Sequence, residues 1–197
     1  MISGTNYGYL LFPPFEYDQL TQDILQSLQT FATNRKLEGL IVDERIAGSS
    51  SNWPLEGLLA LFQDGKVGEF YNSAKQKQEV NVKGQDTLGS QTIPLIVLVG
   101  QNTVGFPEIF AASLQASHRA KIVGAATPGS IETASAFYLP DGSRIFIETT
   151  SFRLPNGDEI GNSGVKPNVT IEAGWDQVIP NADPVLDKAI ELIGEQK

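Results

Sequence analysis

The side chains that most often carry catalysis are scarce in this chain. Its 197 residues include no cysteine and one histidine, His118. A cysteine nucleophile, a disulfide, a thiolate metal centre and a multi-histidine metal centre are therefore excluded within one chain. A Ser-His-Asp triad would have to use His118, which the pattern places at the far end of a helix, where a cation suits the helix dipole. We expect neither a metal nor another cofactor.

Charge and apolar content exclude further classes of function. Acidic residues outnumber basic ones by 23 to 14, and the net charge of -9 argues against a nucleic-acid partner. The longest apolar run, residues 93–100, is far shorter than the roughly 18–20 residues that span a bilayer. No signal-peptide pattern opens the chain, so its compartment stays open between the cytosol and export of a longer bacterial protein. The strand-like segment that begins at residue 7 favours a fragment of such an exported protein.

Strand-like and helix-like segments alternate along the chain. Such alternation predicts an α/β fold, a mostly parallel sheet flanked by helices. Two further regions, residues 66–90 and 137–154, have turn signals that predict an antiparallel excursion. With no linker or repeat in view, residues 1–197 are predicted to form a single domain. Strands are expected at residues 7–12, 37–42, 94–100 and 121–125, and helices at residues 18–32, after a cap at Asn52, at 107–117 and after the Asp183-Pro184 cap.

In such sheets, binding sites form where strands end and helices begin. Two junctions qualify, residues 42–50 and residues 99–108. The first contains Asp43 and Glu44, which point to opposite faces of a strand. We therefore predict that Asp43 or Glu44 forms an ion pair with Arg45 or Lys36 at the sheet edge, rather than that the two serve as a pair of catalytic acids. Aromatic residues near the junctions, Trp53 and Phe106, either line a peptide groove or belong to the core.

Six segments in order resemble the C-terminal processing, or tail-specific, peptidases, which are serine proteases with a Ser-Lys dyad and a ClpP/crotonase-like core. Together these segments span almost the whole chain, although the family's inserted PDZ domain is not recognisable. The segments are residues 39–45 (GLIVDER, against G-L-I-L-D-L-R), 94–99 (PLIVLV), 108–115 (EIFAASLQ, against E-I-x-A-x-x-L-Q), 119–124 (RAKIVG), 139–143 (LPDGS) and 164–169 (GVKPNV).

The resemblance implies three catalytic positions, and none keeps its chemistry. In the family, the nucleophilic serine lies three residues before a glutamate of the helix. Glu108 corresponds to that glutamate, so the nucleophile position holds Gly105. In the family, the general-base lysine follows a T-x-G segment, and the corresponding position here holds Ser130. The position of the supporting Gln or Glu holds Ala134. A serine nucleophile needs a base, and a lysine base must be neutral to accept its proton. Glycine offers no nucleophile, and serine is no useful base near neutral pH.

Backbone groups of the family's oxyanion hole survive in the sequence. These are the amides of Phe106 and of the loop containing Gly48 and Ser49. We therefore predict a proteolytically inactive member of the family that keeps a peptide-binding groove for a peptide or an unfolded protein C-terminus. Because three positions depart together, natural loss is favoured over a single engineered change. Two alternatives remain. One is an active serine endopeptidase with displaced catalytic residues, which lie at positions other than those assigned here or include Ser49, Ser50 or Ser130. The other is a non-catalytic interaction module.

Overall fold

The elements follow the predicted alternation. The computed structural model describes residues 2, 4–15, 18–34, 36–49, 52–131, 133–161, 163–174, 178 and 182–195. The strands there are β1 (Tyr7–Leu11), β2 (Gly39–Asp43), β3 (Gly48–Ser49), β4 (Gly65–Asn72), β5 (Lys77–Val82), β6 (Leu95–Val99), β7 (Val104–Gly105), β8 (Lys121–Gly124), β9 (Thr133–Tyr138), β10 (Arg144–Arg153) and β11 (Val169–Thr170). The helices are α1 (Leu20–Asn34), α2 (Leu55–Ala60), α3 (Phe106–Ala116) and α4 (Pro184–Gly194).

A five-stranded parallel sheet forms the centre of the fold. Its strand order is β1-β2-β6-β8-β11, and Val97 of β6 lies between Val42 of β2 and Ile122 of β8. All five residues of β6 are buried, because helices cover both faces of the sheet. The uniformly apolar sequence of this strand therefore predicted its central place correctly.

Strand β2 shows how the two faces divide the core. Leu40 and Val42 pack with residues of α1, α2 and α3, whereas Ile41 packs with residues of α4. Since side chains alternate along a strand, Asp43 extends the α4 face and Glu44 extends the opposite face. No helix in the described ranges is long and apolar enough to cross a membrane.

The antiparallel excursion forms a four-stranded sheet in the order β5-β4-β10-β9. The sequence predicted two strands between residues 144 and 154, and the structure has one, β10. A β-bulge between Glu148 and Thr150 keeps the strand continuous while shifting its register against β9.

Helix starts were predicted with mixed success. Asp183 caps α4 as predicted, because its side chain accepts hydrogen bonds from the backbone N–H groups of Val185 and Leu186. The prediction that Asn52 caps α2 is wrong. That helix has Pro54 at its cap position, after a tight turn in which the Leu55 N–H donates to the Trp53 carbonyl.

Candidate functional site

The two predicted junctions meet in a short two-stranded sheet. Strand β3 pairs in parallel with β7, with Gly48 opposite Val104 and Ser49 opposite Gly105. Helix α3 begins at the next residue, Phe106. The structure therefore brings Gly48, Ser49, Gly105 and Phe106 together at one strand-to-helix turn, as the sequence predicted.

Gly105 has a backbone conformation that suits glycine alone. Its φ of 79° and ψ of −130° lie where a side chain is strained. A Cβ atom built on Gly105 would lie 2.0 Å from the carbonyl oxygen of Ser49. A sharp strained turn from strand to helix is how α/β-hydrolases present a nucleophilic serine. Here the Ser49 carbonyl occupies the space that such a side chain would need.

Glu108 joins this turn to a third segment. Its side chain is fully buried, and its Oε2 accepts the backbone N–H of Gly105 at 3.0 Å. Its Oε1 accepts the hydroxyl of Thr127 at 2.5 Å and the backbone N–H of Gly129 at 2.6 Å. One carboxyl group therefore holds the Gly105 turn beside Gly129, and so beside the adjacent Ser130.

From sequence alone, Glu108 marks only the position from which Gly105 is counted, and no role is predicted for its side chain. A recognisable signal was present, because a glutamate three residues after a helix cap is the spacing of a capping box. Glu108 does cap α3 in this way. Its bonds to Thr127 and Gly129 depend on tertiary proximity, which the spacing does not reveal.

The remaining candidate residues lie in different surroundings. Ser130 is exposed, whereas Gly129 before it is buried. Ala134 lies in β9, opposite Glu148 of β10, and is exposed. His118 is exposed just after the C-terminal end of α3, opposite the end that begins beside Gly105, as predicted. Ser50 lies outside the described residues.

A pocket of about 490 Å³, with both aromatic and polar side chains in its lining, opens beside the α3 start. Its lining includes Trp53, Phe70, Phe106 and Thr150. The Phe106 and Phe70 rings are 5.7 Å apart, and Phe106 is 9% exposed. Trp53 is 3% exposed and its ring also packs edge-on against that of Phe12. The prediction that these aromatics belong to the core is confirmed, and they also line this pocket, whereas a peptide groove here stays a prediction.

The two acidic residues at the end of β2, Asp43 and Glu44, differ in their bonding partners. Asp43 is buried and pairs with Arg45 at 2.6 Å, and it also accepts the Tyr9 hydroxyl at 2.7 Å. Arg45 pairs in addition with Asp183 at 2.7 Å. The predicted ion pair is confirmed for Asp43, although β2 is an inner strand rather than a sheet edge.

A cavity of about 550 Å³ lies beside Arg45. It is not ready to bind an anion, because two carboxylates already neutralise the guanidinium.

Glu44 does not form the predicted ion pair. Its side chain is fully buried, and neither carboxyl oxygen has a hydrogen-bond partner in the described part of the chain. Burial, and then the nearby charge of Asp43, raise the pKa of Glu44 well above its ordinary value of 4.5. The predicted pair is therefore formed by Asp43 alone, because alternation turns Glu44 into the apolar face, away from Arg45.

The sequence and the fold both match known proteins. A sequence model of peptidase family S41 matches residues 6–171. The chain belongs to peptidase family S41. A carboxyl-terminal-processing protease of Synechocystis sp. is 32% identical over 103 residues, which are 51% of this chain and 24% of that protein. A carboxy-terminal-processing protease of Bartonella bacilliformis is 25% identical over 195 residues, covering 96% of this chain and 44% of that protein.

The fold is also that of the family. The structure of a photosystem II D1 C-terminal processing protease superposes with a TM-score of 0.71 at 23% identity, over 95% of this chain and 46% of that one. This S41 domain therefore has the mixed α/β architecture of a C-terminal processing protease. The match spans less than half the length of each of these three relatives.

Proposed function

We propose that this S41 domain binds peptide without cleaving it, in a cleft formed by Gly48, Ser49 and Phe106. The observation that carries the proposal is at Gly105, where the Ser49 carbonyl stands in the space of a nucleophilic side chain. A cleft of this kind needs only backbone donors and an apolar pocket to hold a chain.

Absence of cleavage follows from the residues at the three catalytic positions. Glycine at 105 has no atom to attack a carbonyl carbon. Serine at 130 has an alcohol that does not accept a proton usefully near neutral pH, and alanine at 134 cannot orient a base. Loss of the nucleophile and base together leaves only the contribution of binding and of the oxyanion hole.

Peptide binding is supported by the groups that remain. The amide of Phe106 at the start of α3 can donate to a carbonyl oxygen of a bound chain, whereas the Gly105 amide is already bonded to Glu108. The adjacent pocket of about 490 Å³ is large enough for an apolar side chain. Relatives named C-terminal processing proteases support a peptide or unfolded protein C-terminus as the ligand.

The absence of cleavage is tested with casein as substrate and a fluorophosphonate as a serine-directed label. We expect no fragments and no labelling, because glycine, serine and alanine stand at the positions where the family has its nucleophile, its base and the supporting residue. Labelling at Ser49, Ser50 or Ser130 together with cleavage of casein would establish the active endopeptidase instead.

Binding is tested separately with a fluorescent peptide that has an apolar C-terminal residue and a free carboxylate. We expect weak, saturable binding by anisotropy, and at least about tenfold loss in Gln78→Trp, whose side chain would fill the pocket mouth. Asn81→Trp, on the opposite face of the same strand, is the matched control and should bind as the unchanged protein does. No binding, or equal loss in both variants, would favour the interaction module.

Restoring a serine at position 105 should not create a peptidase. In Gly105→Ser, the new Cβ meets the Ser49 carbonyl, so the variant should lose about 2–4 kcal/mol in free energy of unfolding and remain inactive. The measurement is urea denaturation alongside the casein assay.

Gly157→Ser is the matched control for that variant. Gly157 also has a positive φ, 93°, but a Cβ there has open space around it. It should therefore lose only about 1 kcal/mol, the cost of the backbone conformation. Equal losses in the two variants would show that the Ser49 carbonyl is not the obstacle.

A further inference from the structure

The β9–β10 hairpin is exposed on both of its faces. Every residue from 134 to 148 is exposed, and β9 is an edge strand of its sheet. Single exposed apolar residues are ordinary, but a contiguous group of this size marks an interaction surface. The large apolar residues exposed here are Phe137, Tyr138, Leu139, Ile145, Phe146 and Ile147.

Strand register sorts the hairpin side chains into two faces. One face, here called the outer face, is two-thirds exposed at Phe146 and 71% exposed at Tyr138. The Arg144 guanidinium lies 5.2 Å from the centre of the Tyr138 ring, as expected for neighbours on one face. The outer face consists of three cross-strand pairs, Arg144 with Tyr138, Phe146 with Ala136, and Glu148 with Ala134.

The charges on the outer face are arranged so that this face is complementary to a second copy of itself that runs in the opposite direction. Along β10, a cation at Arg144 and an anion at Glu148 lie two residues to either side of Phe146. If a second hairpin is laid face to face and antiparallel on the first, each Arg144 meets the Glu148 of the other copy. Such a two-fold contact is isologous, so that every favourable pair occurs twice.

Side-chain sizes match in the same arrangement. A two-fold axis at the level of Phe146 places the large Tyr138 of one copy against the small Ala134 of the other. The two Phe146 rings meet at the axis, and Ala136 beside each ring leaves room for it. Stacked sheets lie about 10 Å apart, a distance that these large side chains bridge.

We propose that the outer face of this hairpin binds the outer face of a second copy of the chain. Charge complementarity favours a second copy as the partner. In the antiparallel arrangement, Arg144 of each copy faces Glu148 of the other, and the two Phe146 rings face each other. The opposite hairpin face, with Phe137, Leu139, Ile145 and Ile147, carries no charge that could set a register. The surface is separate from the Phe106 pocket, which opens on the side of the sheet where Phe70 and Thr150 lie.

Sedimentation equilibrium of the full chain over a range of concentrations tests the proposal. We expect a weak dimer with a dissociation constant in about the micromolar range, because the patch is smaller than a standard interface. Arg144→Glu places like charges together twice and should weaken the dimer by at least about tenfold. The double variant Arg144→Glu with Glu148→Arg reverses both charges and should restore the original affinity.

Ile145→Ser, on the opposite face of the same strand, is the matched control and should leave the dissociation constant unchanged. A monomer at every concentration would overturn the proposal. So would a dimer that Arg144→Glu leaves intact, or one that the double reversal fails to restore, since the two-fold pairing requires both results. All variants stay informative because the substituted residues are exposed and outside the core.

Discussion

Glu108→Gln is expected to lower the free energy of unfolding by about 3–5 kcal/mol, although it changes a single atom. The carboxylate accepts three hydrogen bonds, from the Gly105 and Gly129 backbone and from the Thr127 hydroxyl. An amide has one acceptor oxygen, so its NH₂ group must face the Gly105 N–H or the Gly129 N–H. Either arrangement leaves a buried donor without an acceptor. Urea denaturation measures the loss.

Two further measurements separate this cause from a general weakening of α3. Ser113→Ala removes a buried hydroxyl on the same helix, but that hydroxyl donates to a carbonyl of its own helix, so the loss should be about 1 kcal/mol or less. Amide exchange at Gly105 and Gly129 should accelerate together in Glu108→Gln and stay slow in Ser113→Ala. A loss in Glu108→Gln no greater than in Ser113→Ala would contradict the assigned role.

Glu44→Leu is expected to stabilise the protein by about 1–3 kcal/mol at neutral pH. The glutamate is buried without a partner in the described part of the chain, and the family segment that it resembles has leucine at this position. Leucine has a similar volume and no charge to desolvate. Thermal and urea denaturation across pH measure the gain.

The stability cost of Glu44 is expected to depend on pH, and the sign of that dependence follows from its raised pKa. Because burial raises the pKa of Glu44 in the folded state, the folded and unfolded states are both protonated well below pH 4.5, and no cost of burying a charge arises there. As the pH rises above that value, the unfolded chain ionises first, so stability falls by up to about 1.4 kcal/mol per pH unit until the folded pKa is reached. Glu44→Leu should remove this decline, so its advantage should shrink in acid to the smaller cost of burying a neutral carboxyl group without a partner.

The exposed Glu56 of α2 supplies the control for this experiment. Glu56→Gln should change the free energy of unfolding by no more than about 0.5 kcal/mol at any pH. If Glu44→Leu gains no more than Glu56→Gln, or if its gain is as large in acid as at neutral pH, Glu44 is not an unpaired buried acid.

The sequence was a good guide wherever local periodicity determines structure. The unbroken apolar run of β6 and the Asp183-Pro184 start of α4 depend on neighbours within a few residues, and both were predicted correctly. The bulge in β10 was not, because it depends on how β10 pairs with β4 and β9 at once. Alternation predicted that Asp43 and Glu44 diverge, but not which of them would meet Arg45.

The candidate site was also predicted only in part, because some of its contacts depend on the tertiary fold and not on the local sequence. The family resemblance supplied positions 105 and 130, and the structure brings them together through Glu108. The resemblance also predicted that the Ser49 loop lies beside position 105, but it did not predict that the Ser49 carbonyl fills the space of a Cβ atom there. Such contacts arise only when the fold brings distant loops together, so composition and spacing do not reveal them.

The contact between Ser49 and Gly105 also constrains how this sequence can evolve. While the Ser49 carbonyl remains where it is, every residue other than glycine at position 105 is penalised. A descendant could acquire a side chain there only after the β3 segment had first moved away. Glycine at this turn would therefore persist because of packing, even in descendants under no selection for function at this position.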